Sequence, residues 1–63
     1  MTTKQEVVEQ YLNLGHSFAW DQDWEKAVGA YARALQESPQ NPEPYKFLGF
    51  ALLQTKRYND ALR

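Results

Sequence analysis

The chain has 63 residues, no cysteine, and seven basic against eight acidic residues, which give a formal net charge of −1. A chain of this length forms at most one small domain, and without cysteine it has neither a disulfide framework nor a thiolate metal site. The charges form no block of one sign and no apolar run approaches a membrane span, so the composition indicates neither a nucleic-acid nor a membrane partner. A protein or peptide partner and a reducing, cytoplasmic location are expected.

The first predicted helix covers residues 4–20. Thr3 and Glu6 have the spacing of a capping box, which indicates a start near Lys4. Gly15 costs such a helix about 1 kcal/mol relative to alanine, so we expect a second backbone to approach closely there. At about 100° per residue, the inward face spans an arc of roughly 160°. Its members are Val8, Tyr11, Leu12, Leu14, Gly15, Phe18 and Ala19.

The second predicted helix covers residues 24–38. Asp21 or Asp23 could cap its N-terminus, because both are short acceptors before an apolar-periodic run. Pro39 ends it, because proline lacks the N–H and moves Ser38 out of the α region. One stripe at i, i+3, i+4 and i+7 spacing is predicted to be buried. It consists of Trp24, Ala27, Val28, Tyr31, Ala34 and Leu35.

A third and a short fourth helix are predicted after the turn at residues 39–42. Pro42 suits the first turn of the third helix, residues 42–54, and Asn41 is its expected cap. A second turn is expected at residues 55–57. The fourth helix, residues 58–63, has under two turns, too few to be stable alone in water. The residues predicted to point inward are Tyr45, Leu48, Gly49 and Leu52, and in the fourth helix Ala61 and Leu62.

The chain repeats itself at an offset of 34 residues without insertion or deletion. Self-similarity at this period indicates a repeat architecture in which helix pairs stack on one another. The identical pairs are Glu9/Glu43, Tyr11/Tyr45, Leu14/Leu48, Gly15/Gly49 and Ala27/Ala61.

These residues resemble the tetratricopeptide repeat family, whose pattern is W-x2-L-G-x2-Y, then A-x3-F, then P. The resemblance implies an all-α fold of antiparallel helix-turn-helix repeats in a short right-handed α-solenoid fragment. Residues 1–7 would extend the first helix, residues 8–41 form the first repeat, and residues 42–63 form a second repeat truncated within its second helix. The matching segments are Tyr11-x2-Leu14-Gly15-x2-Phe18, Ala27-x3-Tyr31, Pro39, Tyr45-x2-Leu48-Gly49-x2-Leu52 and Ala61.

The resemblance also implies a function. Such arrays are non-catalytic scaffolds, and the first helix of each pair lines a concave surface that binds peptides or proteins. Here that surface would be partly aromatic and would favour an apolar or aromatic side chain, or an amphipathic helix. The implied binding residues are Glu9, Leu12, Asn13, His16, Trp20, Lys46, Phe47, Phe50, Leu53 and Gln54.

One subclass of the family binds the C-terminal carboxylate of heat-shock chaperones through lysine, asparagine and arginine. Leu12 stands where its leading lysine should be, and His16 and Phe47 replace two asparagines. These differences argue against a chaperone-tail ligand.

Two alternatives accompany this interpretation. The exposed helical ends could instead mediate self-assembly with another copy of the chain, with no foreign ligand. Phe47 and Phe50 could contact another chain, or they could pack on a neighbouring repeat.

Catalysis, metals and cofactors have no supporting residue set. His16 and Ser17 are adjacent on a helix and point about 100° apart, so they do not form a catalytic pair. The Asp21-x-Asp23-x-Glu25 segment begins like a calcium loop, but Lys26 replaces the required glycine. The chain is therefore predicted to be no enzyme and to need no cofactor.

Overall fold

The computed structural model describes the backbone of residues 3–61 and the side chains of residues 3–57. Three helices occupy the described chain: α1 (Lys4–Trp20), α2 (Trp24–Glu37) and α3 (Pro42–Ala61). α2 packs against both α1 and α3. No strand occurs in this part of the chain, and the predicted all-α fold is confirmed.

Side chains cap two of the helices as the sequence predicts. The Glu6 N–H donates to Thr3 Oγ1 at 3.1 Å, and the Glu43 N–H donates to Asn41 Oδ1 at 3.0 Å. Asp23 stands at the N-cap of α2, but its side chain makes no capping hydrogen bond. It pairs instead with Lys26, at 3.6 Å, so the predicted carboxylate cap of α2 is not formed.

The turn between α1 and α2 closes α1 with backbone hydrogen bonds. The Asp23 N–H donates to the Phe18 carbonyl at 2.8 Å, and the Gln22 N–H donates to the Ala19 carbonyl at 3.0 Å. This pair of bonds is the Schellman motif, which needs a left-handed residue after the helix. Gln22 supplies it with a φ of 62°.

The core lies where α1 and α3 pack on α2. On α1 the buried face is centred on Val8 and Leu12, while Leu14 is 46% exposed although the sequence predicts it to be buried. The predicted arc is too wide because, among the described helices, α2 is the one that packs extensively on α1. The buried side chains are Val8, Leu12, Ala27, Ala30, Tyr31, Ala34, Pro44 and Ala51.

Ala30 was not predicted to be buried. It is 5% exposed and lies beside the predicted stripe of α2. Because α2 has a helix on each side, its buried face is wider than that of a helix with one neighbour.

α3 is rotated relative to the prediction. Pro44 and Ala51 face the core, whereas Tyr45, Leu52 and Gly49 are exposed, and Leu48 is half-buried. The prediction transferred the inward face of α1, which is covered by the helix that follows it. No described helix follows α3, and α3 uses its opposite side to pack on α2.

α3 is one continuous helix of 20 residues, so the predicted turn at residues 55–57 is wrong. That segment has no proline or glycine, the usual causes of a sharp break. The Thr55 hydroxyl donates to the Ala51 carbonyl at 2.9 Å and so is satisfied within the helix. The side chains of the predicted fourth helix, residues 58–63, lie outside the described side chains, as do residues 62–63 and 1–2 altogether.

Gly15 is required by a side chain and not, as predicted, by a second backbone. A Cβ added at Gly15 would lie 2.6 Å from Cδ1 and 2.8 Å from Cζ of Tyr31. At Gly49, the equivalent position of α3, a Cβ would meet nothing within 4 Å. The same glycine therefore has a steric reason in the first repeat only.

Candidate functional site

One residue from each helix contributes to an aromatic cluster of His16, Tyr31 and Phe47. His16 Nδ1 and the Tyr31 hydroxyl share a hydrogen bond of 2.7 Å. The His16 ring meets the Phe47 ring edge-on at a centroid distance of 4.6 Å, and Tyr31 stacks on Phe47 at 5.6 Å. Aromatic pairs in these geometries add about 0.5–1.5 kcal/mol beyond the area they bury. The cluster thus joins all three helices at one point.

Tyr31 lies at the base of this cluster. It is 3% exposed, and its burial raises the pKa of its hydroxyl above the ordinary 10.0, because a phenolate would be poorly solvated there. At neutral pH Tyr31 is therefore an uncharged hydrogen-bond partner for His16.

An open groove of about 370 Å³ runs between α1 and α3 beside this cluster. We call it the α1–α3 groove. Its walls combine charged, polar and apolar side chains, so it offers several kinds of contact to a ligand. Its lining residues are Glu9, Leu12, Asn13, His16, Glu43, Lys46 and Phe47.

A second, more apolar depression of about 630 Å³ continues from the groove, which we call the aromatic pocket. Trp20 stands at its edge with 88% of its surface exposed, and Phe50 is 54% exposed. Phe50 is held by an edge-on contact with Trp24, with centroids 5.8 Å apart. The lining residues are His16, Ala19, Trp20, Tyr31, Lys46, Phe47 and Phe50.

The structure brings together eight of the ten side chains implied by the resemblance. Leu53 and Gln54 line neither the groove nor the pocket. Leu12 is buried and contributes to the wall and the core at once. Those that line one or both depressions are Glu9, Leu12, Asn13, His16, Trp20, Lys46, Phe47 and Phe50.

One lining residue was not predicted, and two were predicted only as core residues. Glu43 is the 34-residue equivalent of Glu9, so the repeat itself could have identified it. Ala19 and Tyr31 were predicted to be core residues, and both line the aromatic pocket. Phe47 packs on His16 and Tyr31 of its own chain, and it also lines both depressions.

Neither a metal-binding cluster nor a membrane-spanning helix occurs among the described residues. No three His, Cys, Asp or Glu side chains in this part of the chain group closely enough to hold a metal ion. None of the described helices combines the length and the apolar character needed to cross a bilayer.

Three packed helices, a 34-residue period and a groove between the first helices of successive units define a helical repeat protein. A sequence model of the family described as Tetratricopeptide repeat matches residues 21–63, more than half of the chain. The chain belongs to the tetratricopeptide repeat family. Repeats of this family are generally non-catalytic protein–protein interaction modules.

Tetratricopeptide repeat protein 16 of Mus musculus is similar to this chain. The two are 34% identical over 56 residues, which cover 89% of this chain and 7% of the mouse protein. The chain thus spans a small part of the length of this curated relative. No solved structure matches it.

Proposed function

We propose that the α1–α3 groove and the aromatic pocket bind a peptide or helix of a partner protein. An apolar or aromatic side chain of the ligand would lie against Trp20 and Phe50. The exposure of Trp20 supports this proposal most strongly, because an indole left 88% in water beside an apolar pocket is an unused contact surface. Covering about 100 Å² of it would contribute about 2.5 kcal/mol.

Contacts with Tyr31 orient two of the side chains that line the site. His16 and Phe47, which line both depressions, are fixed to Tyr31 by a hydrogen bond and by ring contacts. A preformed wall of this kind lowers the entropic cost of association.

The proposal is tested with peptides selected on the purified chain from a random library. Trp20→Ala should weaken the selected peptides at least about tenfold, because exposed aromatic anchors dominate binding energy. Tyr45→Ala removes an exposed aromatic side chain that lines neither depression, and it should leave the affinity unchanged. Equal losses in the two variants would contradict binding at this site.

A second candidate function is self-assembly, which the exposed face of α3 favours. Tyr45 is 56% exposed and Leu52 51% exposed on this face, and Gly49 between them faces open space. Two copies could bury this face against each other. Light scattering should then show a dimer that Leu52→Lys dissociates and Trp20→Ala does not. A monomer at all concentrations would exclude this function.

Several finer expectations belong to the same proposal. We expect no nucleic-acid, membrane or chaperone-tail partner, no catalysis and no cofactor, and a cytoplasmic location. The repeat boundaries at residues 8–41 and 42–63 are also proposed.

A further inference from the structure

We infer that the partner segment is cationic and amphipathic, with a basic side chain between Glu9 and Glu43 and an apolar side chain against Trp20 and Phe50. This inference rests on the proposed function and specifies the chemistry of its ligand.

The acidic end of the groove comes from the repeat itself. Glu9 on α1 and Glu43 on α3 occupy equivalent positions at the 34-residue offset, and both line the α1–α3 groove as exposed side chains. Within the described residues, the ion pair present is that of Lys26 with Asp23. The two groove carboxylates therefore have no ion-pair partner in this part of the chain.

The groove is lined by fewer basic than acidic side chains. Lys46 is the single lysine or arginine that lines the groove, against two glutamates. His16, its remaining titratable group, already shares Nδ1 with the Tyr31 hydroxyl. The lining thus has an excess of one negative charge when His16 is neutral, which favours a cationic over an anionic ligand.

The distance between the glutamates and the aromatic side chains determines how far apart the basic and apolar side chains of the ligand should be. Along α1, Glu9 and Trp20 are separated by about 16 Å, and along α3, Glu43 and Phe50 by about 10 Å, at about 1.5 Å per residue. An extended peptide advances about 3.3 Å per residue, so the basic and apolar side chains should stand about three to five residues apart.

The test uses two fluorescein-labelled peptides. Each has Phe-Leu at one end, separated by four residues from a charged pair, which is Arg-Arg in one peptide and Glu-Glu in the other. Fluorescence anisotropy should show the Arg-Arg peptide binding about tenfold more tightly, with a preference that shrinks as salt screens the charges. Replacing both groove carboxylates, Glu9→Lys with Glu43→Lys, should reverse the preference.

Glu25→Lys is the matched control. Glu25 is the first-turn acidic residue of α2, as Glu43 is of α3, so both replacements have the same effect on a helix N-terminus. Glu25 does not line the groove, and its replacement should keep the preference for the Arg-Arg peptide. Circular dichroism verifies that each variant remains helical.

The outcomes separate this inference from the function on which it rests. Equal binding of both peptides, weakened by Trp20→Ala, would overturn the charge preference and leave the groove as a binding site. Tighter binding of the Glu-Glu peptide would overturn it as well. If neither peptide bound, the cationic ligand would be excluded, and the library selection would decide about the groove independently.

Discussion

His16 and Tyr31, on different helices, share a hydrogen bond of 2.7 Å that links the wall of the groove to the core. The Tyr31 ring also fills the space above Gly15. One tyrosine therefore determines how closely α1 and α2 approach and how the histidine of the groove is oriented.

The two equivalent glycines should respond oppositely to alanine. Gly15→Ala should destabilise the chain by about 1–2 kcal/mol, because the new Cβ overlaps a buried ring and overpacking outweighs the gain in helix propensity. Gly49→Ala should stabilise it by up to about 1 kcal/mol, because nothing opposes the new methyl group. Urea unfolding followed by circular dichroism measures both. If both substitutions changed the free energy of unfolding in the same direction, the packing of Tyr31 on Gly15 would be contradicted.

A second stability prediction concerns the left-handed Gln22. Gln22→Gly should raise the free energy of unfolding by about 1 kcal/mol, because glycine adopts a φ of 62° without strain. Gln10→Gly, at an exposed interior position of α1, should lower it by a similar amount. If both glycines destabilised the chain, the Schellman turn would not form in solution.

Alkaline pH should destabilise the chain through Tyr31. Burial raises the pKa of this hydroxyl above 10.0, so as the pH passes 10 the unfolded chain ionises first and the folded state loses stability. Below pH 10 the phenol is neutral in both states and the stabilisation is complete. Tyr31→Phe should reduce the pH dependence between about pH 9 and 11, whereas Tyr45→Phe, at an exposed position, should not. Thermal melts across that range measure the difference.

Substitutions of the two phenylalanines of the aromatic pocket should separate effects on stability from effects on binding. Phe47→Ser should cost about 2 kcal/mol, because this half-buried ring packs against the core beside His16 and Tyr31. Phe50→Ser should cost much less, because over half of its surface is already exposed, and yet weaken peptide binding. If Phe47→Ser and Phe50→Ser lowered the stability equally, Phe47 would not pack against the core in solution.

The sequence predicted the local features of this fold well. Capping at Thr3 and Asn41 depends on residues within three positions of each other, and it was correctly read from spacing alone. The buried face of α3 was not predicted correctly, because it depends on which neighbouring helix covers α3. The 34-residue period indicates equivalent residues, but it does not indicate whether an equivalent partner helix is present. Tyr45 and Leu52 were therefore expected inside and are exposed.

In the candidate site, too, the sequence predicted what lies on one helix but not the contacts between helices. Side chains on one helix, such as Glu9 and Asn13, were placed together by helical angles, and both line the groove. The roles of Phe47 and Tyr31 required three-dimensional contacts among three helices. The 34-residue offset likewise predicted a turn at residues 55–57, where the structure has a continuous helix.

The unbroken course of α3 has a mechanical consequence. Phe50 lines the aromatic pocket beside the groove, and Ala61 lies about 16 Å farther along the same hydrogen-bonded helix, with no proline or glycine between them to act as a hinge. A torque applied near Ala61 would therefore rotate the wall of the groove directly.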